Sequence, residues 1–136
     1  MKKLTYLLFV LTIGLTMLSC SKDEDKPSSD NPTPSADYKT LIVGRWKTVE
    51  GNYYEVYDSN GNGHAWDEDD DVNETEADNF TWSLDANNQS KMTQFYTGEM
   101  GQVIPQSCNI LTLNETTFKY NNEALRATYD MRRVTE

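Results

Sequence analysis

Cysteine, histidine and basic residues are scarce in this chain, and each scarcity excludes a kind of site or partner. Of the 136 residues, two are cysteines, Cys20 and Cys108, and one is a histidine, His64. One histidine cannot build a histidine-rich metal cluster, and no Ser-His-Asp set can be assembled around it. The 12 basic and 22 acidic residues argue against nucleic acid or an anionic lipid surface as a partner. Carboxylates are plentiful, but no spacing singles out a glycosidase-type pair, so we expect no enzymatic activity.

Long apolar runs are also missing, since the N-terminal run covers only residues 4–18. A membrane-spanning helix needs roughly 20 apolar residues. The run follows Lys2 and Lys3 and is typical of a signal peptide. It ends in Leu18-Ser19-Cys20, which resembles a bacterial lipobox. This resemblance implies removal of residues 1–19 and acylation of Cys20, so that outer-membrane lipid becomes the anchor.

The segment after Cys20 predicts a tether and a location. Residues 21–25 are Ser-Lys-Asp-Glu-Asp and resemble the export signal of some Gram-negative lipoproteins, although a solvated linker is the alternative. Residues 26–37 are rich in proline, serine and aspartate and cannot build an apolar core. We expect a lipid-anchored protein of the outer membrane, on the cell surface or otherwise on the periplasmic face.

The remaining residues, 38–136, amount to 99 residues and predict one small domain. Loss of residues 1–19 removes two of 12 basic residues and no acidic one, which leaves 10 basic against 22 acidic. If Cys20 carries lipid, Cys108 has no intramolecular partner, so no disulfide holds the domain. We expect Cys108 to be a buried, small apolar side chain.

Strand patterns dominate this domain. About eight short segments rich in aromatic and β-branched residues recur at roughly ten-residue spacing, with turn residues between them. Asn60-Gly61 favours a tight hairpin, and Phe80, Trp82 and Leu84 alternate onto one face. One helical turn is expected at residues 75–77, capped by Thr75 or Asn73. The pattern suggests a sandwich or a barrel; we predict an all-β fold, a small eight-stranded antiparallel up-and-down barrel, because closure removes free edges.

Several stretches resemble the lipocalin-like (calycin) domains of small Gram-negative lipoproteins. Gly44-Arg45-Trp46 has the Gly-x-Trp form that opens the first lipocalin strand, and residues 57–63, 80–84 and 110–120 add to the likeness. The resemblance implies an eight-stranded barrel in which a basic residue of the last strand covers the Trp46 indole. Arg132 or Arg133 could do so, and alternation with Tyr129 favours Arg133. Trp46 and Arg133 are therefore interpreted as structural.

The barrel could hold a small apolar or amphipathic ligand, or be filled by its own side chains. Aromatic residues with polar tips would suit the interior or mouth of such a barrel. The candidate ligand-binding residues are Tyr54, Trp66, Trp82, Tyr96, Phe118 and Tyr129. The alternative is that these residues only pack a small core.

Calcium is the one cofactor that the sequence suggests. Asp58, Asn60, Asn62 and Asp69 have the spacing of EF-hand ligands, with the His64 carbonyl between them. A preceding strand and a short final aspartate oppose this interpretation, and the same residues suit a hairpin turn. Residues 67–71 with Glu74 offer a looser alternative.

A surface partner is the other functional hypothesis. The acidic loop, residues 67–78, could bind a protein or a glycan. A sizeable cavity would favour the ligand-binding barrel, whereas a solid core with an ordered acidic loop would favour the interaction module. The sequence leaves the oligomeric state open.

Overall fold

The chain forms eight strands preceded by one short helix. The computed structural model describes residues 37–135. Helix α1 spans Tyr38–Ile42. The strands are β1 (Gly44–Thr48), β2 (Tyr53–Tyr57), β3 (Asn62–Asp67), β4 (Asp78–Leu84), β5 (Lys91–Thr97), β6 (Val103–Leu113), β7 (Thr117–Asn122) and β8 (Ala127–Arg133). Within residues 37–135, no helix is long and apolar enough to cross a membrane.

The strands close into a barrel. Each pairs antiparallel with the next along the chain, and β8 returns to pair with β1, where Arg133 lies opposite Trp46. The sheet built from residues 44–133 therefore has no free edge at which another chain could pair. The predicted fold, a small eight-stranded antiparallel up-and-down barrel of the lipocalin-like type, is confirmed.

Alternation along the strands decides which side chains fill the barrel. On β4, Phe80 and Trp82 are 3% and 5% exposed, and Leu84 packs against the same core. Thr81 and Ser83, between them, are exposed. The predicted inward face of this strand is therefore confirmed. Burial of each such aromatic side chain contributes about 1.5–3 kcal/mol to stability.

Two irregularities shape the strands. Residues 58–61 form the β2–β3 turn, closed by a 2.8 Å hydrogen bond from the Asp58 amide to the Asn62 carbonyl, and Gly61 has a φ of 88°, which favours glycine. The second irregularity lies on β6. Pro105 stays in register opposite Phe95, and the register shifts between Ile110 and Thr112.

Helix α1 lies at one end of the barrel, which we call the closed end. The Asp37 side chain caps it by accepting from the Lys39 amide at 3.1 Å. The Tyr38 amide donates to Oε1 of Gln89, in the β4–β5 turn, at 3.1 Å. Ile42 is fully buried against the core. The β1–β2, β3–β4, β5–β6 and β7–β8 loops meet at the opposite end, the open end.

The β3–β4 connection carries much of the acidic loop and is ordered by its own side chains. It contains two short 3₁₀ turns, Glu68–Asp70 and Glu74–Glu76. Asn73 caps the second turn in a capping box with Glu76, in line with the predicted cap. Glu74 reaches back to Arg45 of β1 at 2.6 Å.

Candidate binding site

The barrel interior changes character from the closed end to the open end. Large apolar and aromatic side chains fill the half near α1, among them Trp46, Tyr57, Trp82, Phe118 and Met131. Nearer the open end, three polar or charged side chains are 1% exposed each. They are Glu55 of β2, Gln94 of β5 and Asn122 of β7. A buried polar layer of this kind has to be hydrogen-bonded to be tolerated.

Three tyrosines donate hydrogen bonds to the Glu55 carboxylate. Tyr120 donates to Oε1 at 2.6 Å, Tyr53 to Oε1 at 3.0 Å, and Tyr57 to Oε2 at 2.7 Å. The Gln94 amide lies 3.5 Å from Oε1. We call these five side chains the Glu55 cluster. Within residues 37–135, no lysine, arginine or histidine bonds to this carboxylate.

Burial dominates the electrostatics of the Glu55 cluster. It raises the pKa of Glu55, because a charged carboxylate loses its hydration, while the hydrogen bonds from Tyr120, Tyr57, Tyr53 and Gln94 act in the opposite direction. Burial also raises the pKa values of Tyr57 and Tyr120, and the nearby Glu55 charge adds to the effect. The tyrosines therefore remain neutral hydrogen-bond donors around a carboxyl group without a cationic partner.

Further hydrogen bonds hold the polar layer in place. Gln94 donates to the Tyr57 hydroxyl at 2.7 Å, and Asn122 donates to Oε1 of Gln106 at 2.6 Å. The Cys108 thiol faces Oε1 of Gln94 at 3.7 Å. As predicted, Cys108 is buried, and burial raises its pKa to about 12, so it stays a neutral, unreactive thiol. Among the described residues, no buried side-chain nitrogen or oxygen lacks a hydrogen-bond partner.

A cavity of about 600 Å³ opens above the polar layer. This volume lies within the usual size range of small-molecule sites. Its base is polar and includes Glu55, Gln94 and Tyr120. Aromatic rings also form its wall, those of Tyr53, Tyr96 and Tyr129. Among the lining residues that the structure describes, none is basic.

The rim of the cavity is partly apolar. Ile104 of β6 and Leu125 of the β7–β8 loop line it and are 42% and 54% exposed. Asp78, at the start of β4, contributes a carboxylate nearby. The arrangement suits a molecule with a polar group at the base and an apolar part at the mouth.

Of the six predicted ligand-binding residues, the structure brings two to this cavity, Tyr96 and Tyr129. Trp82 and Phe118 lie deeper, in the apolar core. The Trp82 indole donates to the Asn62 carbonyl at 3.1 Å, and Phe118 is fully buried between aromatic neighbours. Neither of them lines the cavity.

The other two, Tyr54 and Trp66, lie on the outer face of the barrel, so the interpretation that placed them inside was wrong. Their rings stack at 4.9 Å with planes 4° apart. Lys47 lies 5.3 Å from the Tyr54 ring and Arg45 lies 5.2 Å from the Trp66 ring. The reason is alternation: Glu55 faces inward, so its neighbour Tyr54 must face outward.

Trp46 and Arg133 close the other end of the barrel. The Arg133 guanidinium lies 4.2 Å from the centre of the Trp46 ring. It donates to the carbonyls of Leu41 at 2.5 Å and Val43 at 2.8 Å, which the short helix α1 leaves without partners. Gly44 has a φ of 134°, and a Cβ at this position would collide with the Arg133 guanidinium. This explains glycine in the Gly-x-Trp sequence.

The candidate calcium ligands do not converge. Asp58 and Asn60 lie in the β2–β3 turn at the closed end, whereas Asp69 follows β3 at the open end. Asp69 accepts hydrogen bonds from the Asn52 amide and side chain at 2.9 and 2.7 Å. The EF-hand arrangement is not formed, because residues 62–67 are a strand and not part of a loop. Within residues 37–135, no group of three His, Cys, Asp or Glu side chains could hold a metal ion.

Comparison of the chain with protein-family models, with curated proteins and with solved structures found no match.

Proposed function

We propose that this chain is a lipid-anchored protein of the cell envelope that binds a small amphipathic ligand in the open end of its barrel. The cavity of about 600 Å³, with a polar base and a partly apolar rim, is the observation that carries the proposal. His64 lies on the outer face, stacked on Trp66 and away from the cavity, which favours binding over catalysis.

The proposed location is the outer membrane, with the barrel on the cell surface. The support is the signal-peptide pattern of residues 1–19, the lipobox that ends at Cys20 and the acidic run at residues 23–25. These residues lie outside the described part of the chain. A tether at residues 26–37 would let the barrel stand clear of the lipid that anchors it.

Native mass spectrometry tests the binding role. The full chain would be purified from its own membrane in mild detergent, and its native mass compared with the mass of the denatured lipidated chain. We expect a non-covalent increment in the wild type. Ile104→Trp, which narrows the mouth, should lose it. Val103→Trp, which alters the adjacent outward-facing position, should retain it. A bare native mass for the wild type would contradict the proposal.

The second candidate is an interaction module that uses the acidic loop. Its support is the order of the loop, in which Asn73 caps one turn and Glu74 contacts Arg45 and His64 at 2.6 and 3.2 Å. Asp70 and Asp71 remain exposed. A bare native mass would move the search to protein or glycan partners of this loop. An increment removed by a calcium chelator would instead identify calcium as the bound species.

A further inference from the structure

The buried carboxyl group of Glu55 faces neutral groups on every side. Among the described residues, the titratable groups around it are Tyr53 and Tyr57 on its own strand, Tyr96 of β5, Cys108 of β6, Tyr120 of β7 and Tyr129 of β8. The pKa of each is raised, so each stays neutral, and tyrosine and cysteine have no cationic form that could compensate the Glu55 charge. An ionised carboxylate in such a place is costly unless a cation joins it.

Two further carboxylates of the described residues lie near the cavity. Asp78 lines the mouth, and Asp67 at the end of β3 adds to the effects of burial and of Glu55 that raise the pKa of Tyr129. Low-dielectric walls around charges of one sign concentrate the opposite ion. The cavity therefore attracts cations and repels anions.

Aromatic rings stand where a cation would enter. The Tyr129 ring centre lies 5.4 Å from that of Tyr53 and 5.0 Å from that of Tyr120. Tyr96 completes the aromatic part of the wall. The faces of such rings carry negative charge density and attract ammonium groups.

We infer that the ligand is an amine with an apolar tail, whose ammonium group pairs with Glu55 among the rings of Tyr53, Tyr96 and Tyr129. This inference rests on the proposed binding function and names the ligand class. Glu55 lines the base of the cavity together with Tyr53 and Tyr120, which donate hydrogen bonds to its Oε1. The tail would lie at the mouth, against Ile104 and Leu125, which are apolar and partly exposed.

Calorimetric titration of the full-length protein in detergent with matched probes tests the inference. The probes are hexylamine, hexan-1-ol and heptanoate, together with 2-phenylethylamine, 2-phenylethanol and 3-phenylpropanoate. At neutral pH each amine should bind about tenfold or more tightly than its alcohol, because only the amine forms a charge-assisted hydrogen bond. Each carboxylate should bind most weakly.

Two variants of equal charge change make the test specific. Glu55→Gln should abolish the preference for the amines. Glu99→Gln removes an exposed carboxylate from the β5–β6 turn and should retain it. If Glu55→Gln does not fold, titrations of the wild type at several pH values test the inference. Its affinity for amines should fall as the pH is lowered through the Glu55 titration.

Each other outcome has a distinct meaning. Alcohols that bind as tightly as amines, or a preference that survives Glu55→Gln, would overturn the inference while the binding role stands. An affinity for amines that does not change with pH would also overturn it. If none of the six probes binds, the inference fails, and the native mass increment alone decides the proposed function.

Discussion

Tyr120 donates a 2.6 Å hydrogen bond to the carboxylate of Glu55 across a separation of 65 residues in the chain. The bond joins β7 to β2 through the barrel interior, although these two strands are not neighbours in the sheet. Tyr57 and Tyr53 add donors from the strand of Glu55 itself. The polar layer beneath the cavity is therefore held together by specific hydrogen bonds within the barrel.

The stability of the protein should depend on pH through Glu55. Burial raises the folded-state pKa of this group above its unfolded value of about 4.3, so the folded state holds the proton more tightly. Its contribution is present below the unfolded pKa and is lost as the pH rises towards the folded pKa. The stability of the wild type relative to Glu55→Gln should therefore fall as the pH rises from about 4 through the folded-state pKa of Glu55.

Urea unfolding across that range measures this difference. Asp69, Glu74 and Asp130 have lowered pKa values and give the opposite dependence, but wild type and variant share them. Glu99→Gln, at an exposed site, should stay parallel to the wild type. If the free energy of unfolding of the wild type instead increases relative to that of Glu55→Gln as the pH rises, this would contradict the burial of an uncompensated carboxyl group.

Arg133→Lys should loosen the closed end. Lysine keeps the charge but cannot reach the carbonyls of Leu41, Val43 and Glu115 together, as the Arg133 guanidinium does. We expect a loss of about 1–3 kcal/mol in the free energy of unfolding. Arg132→Lys is the matched control, since Arg132 is exposed, and it should cost little. Equal stability of the two variants would mean that Arg133 does not hold helix α1 in place.

Trp82→Ala should destabilise the barrel by about 3–5 kcal/mol, as expected when a buried aromatic side chain is truncated. Trp82 is 5% exposed and packs edge-on against Tyr57 at 5.5 Å. The control is Ser83→Ala, at the adjacent exposed position, which should leave thermal unfolding nearly unchanged. Unchanged unfolding of Trp82→Ala would show that the inward face of β4 is assigned wrongly.

Cys20→Ala should move the protein from the membrane fraction to the soluble fraction, because the acyl chains would have no attachment site. Fractionation followed by immunoblotting measures this. Cys108→Ala, which removes the other cysteine, should leave the protein in the membrane fraction. Membrane retention of Cys20→Ala without lipid would contradict the lipobox assignment.

The barrel could be predicted because its signals are local. Alternation in Phe80, Trp82 and Leu84 marks a half-buried strand, and Asn60-Gly61 marks the turn between two others. These signals depend on neighbours a few residues apart and on no distant contact. Alternation with Tyr129 likewise favours Arg133 over Arg132.

The binding site was largely missed because a charged residue within an aromatic strand suggests the solvent face. In Tyr53-Tyr54-Glu55-Val56-Tyr57 both faces carry aromatic rings, so composition cannot decide the parity. The inward-facing side of β2 is decided instead by the register in which β2 pairs with β1. Glu55 lies directly opposite the buried Trp46, and directly paired residues share a face. That register depends on the β1–β2 connection, whose sequence does not fix it.

The pKa of Glu55 in the ligand-free protein shows whether an uncompensated carboxyl group lies buried beneath an open cavity. Carbon-13 NMR of glutamate-labelled protein reads it, with the Glu55 resonance assigned by its loss in Glu55→Gln. We expect a pKa above the ordinary glutamate value of about 4.3. A value at or below the ordinary one would mean that water or a basic group already compensates the charge, and would contradict the burial of an uncompensated carboxyl group.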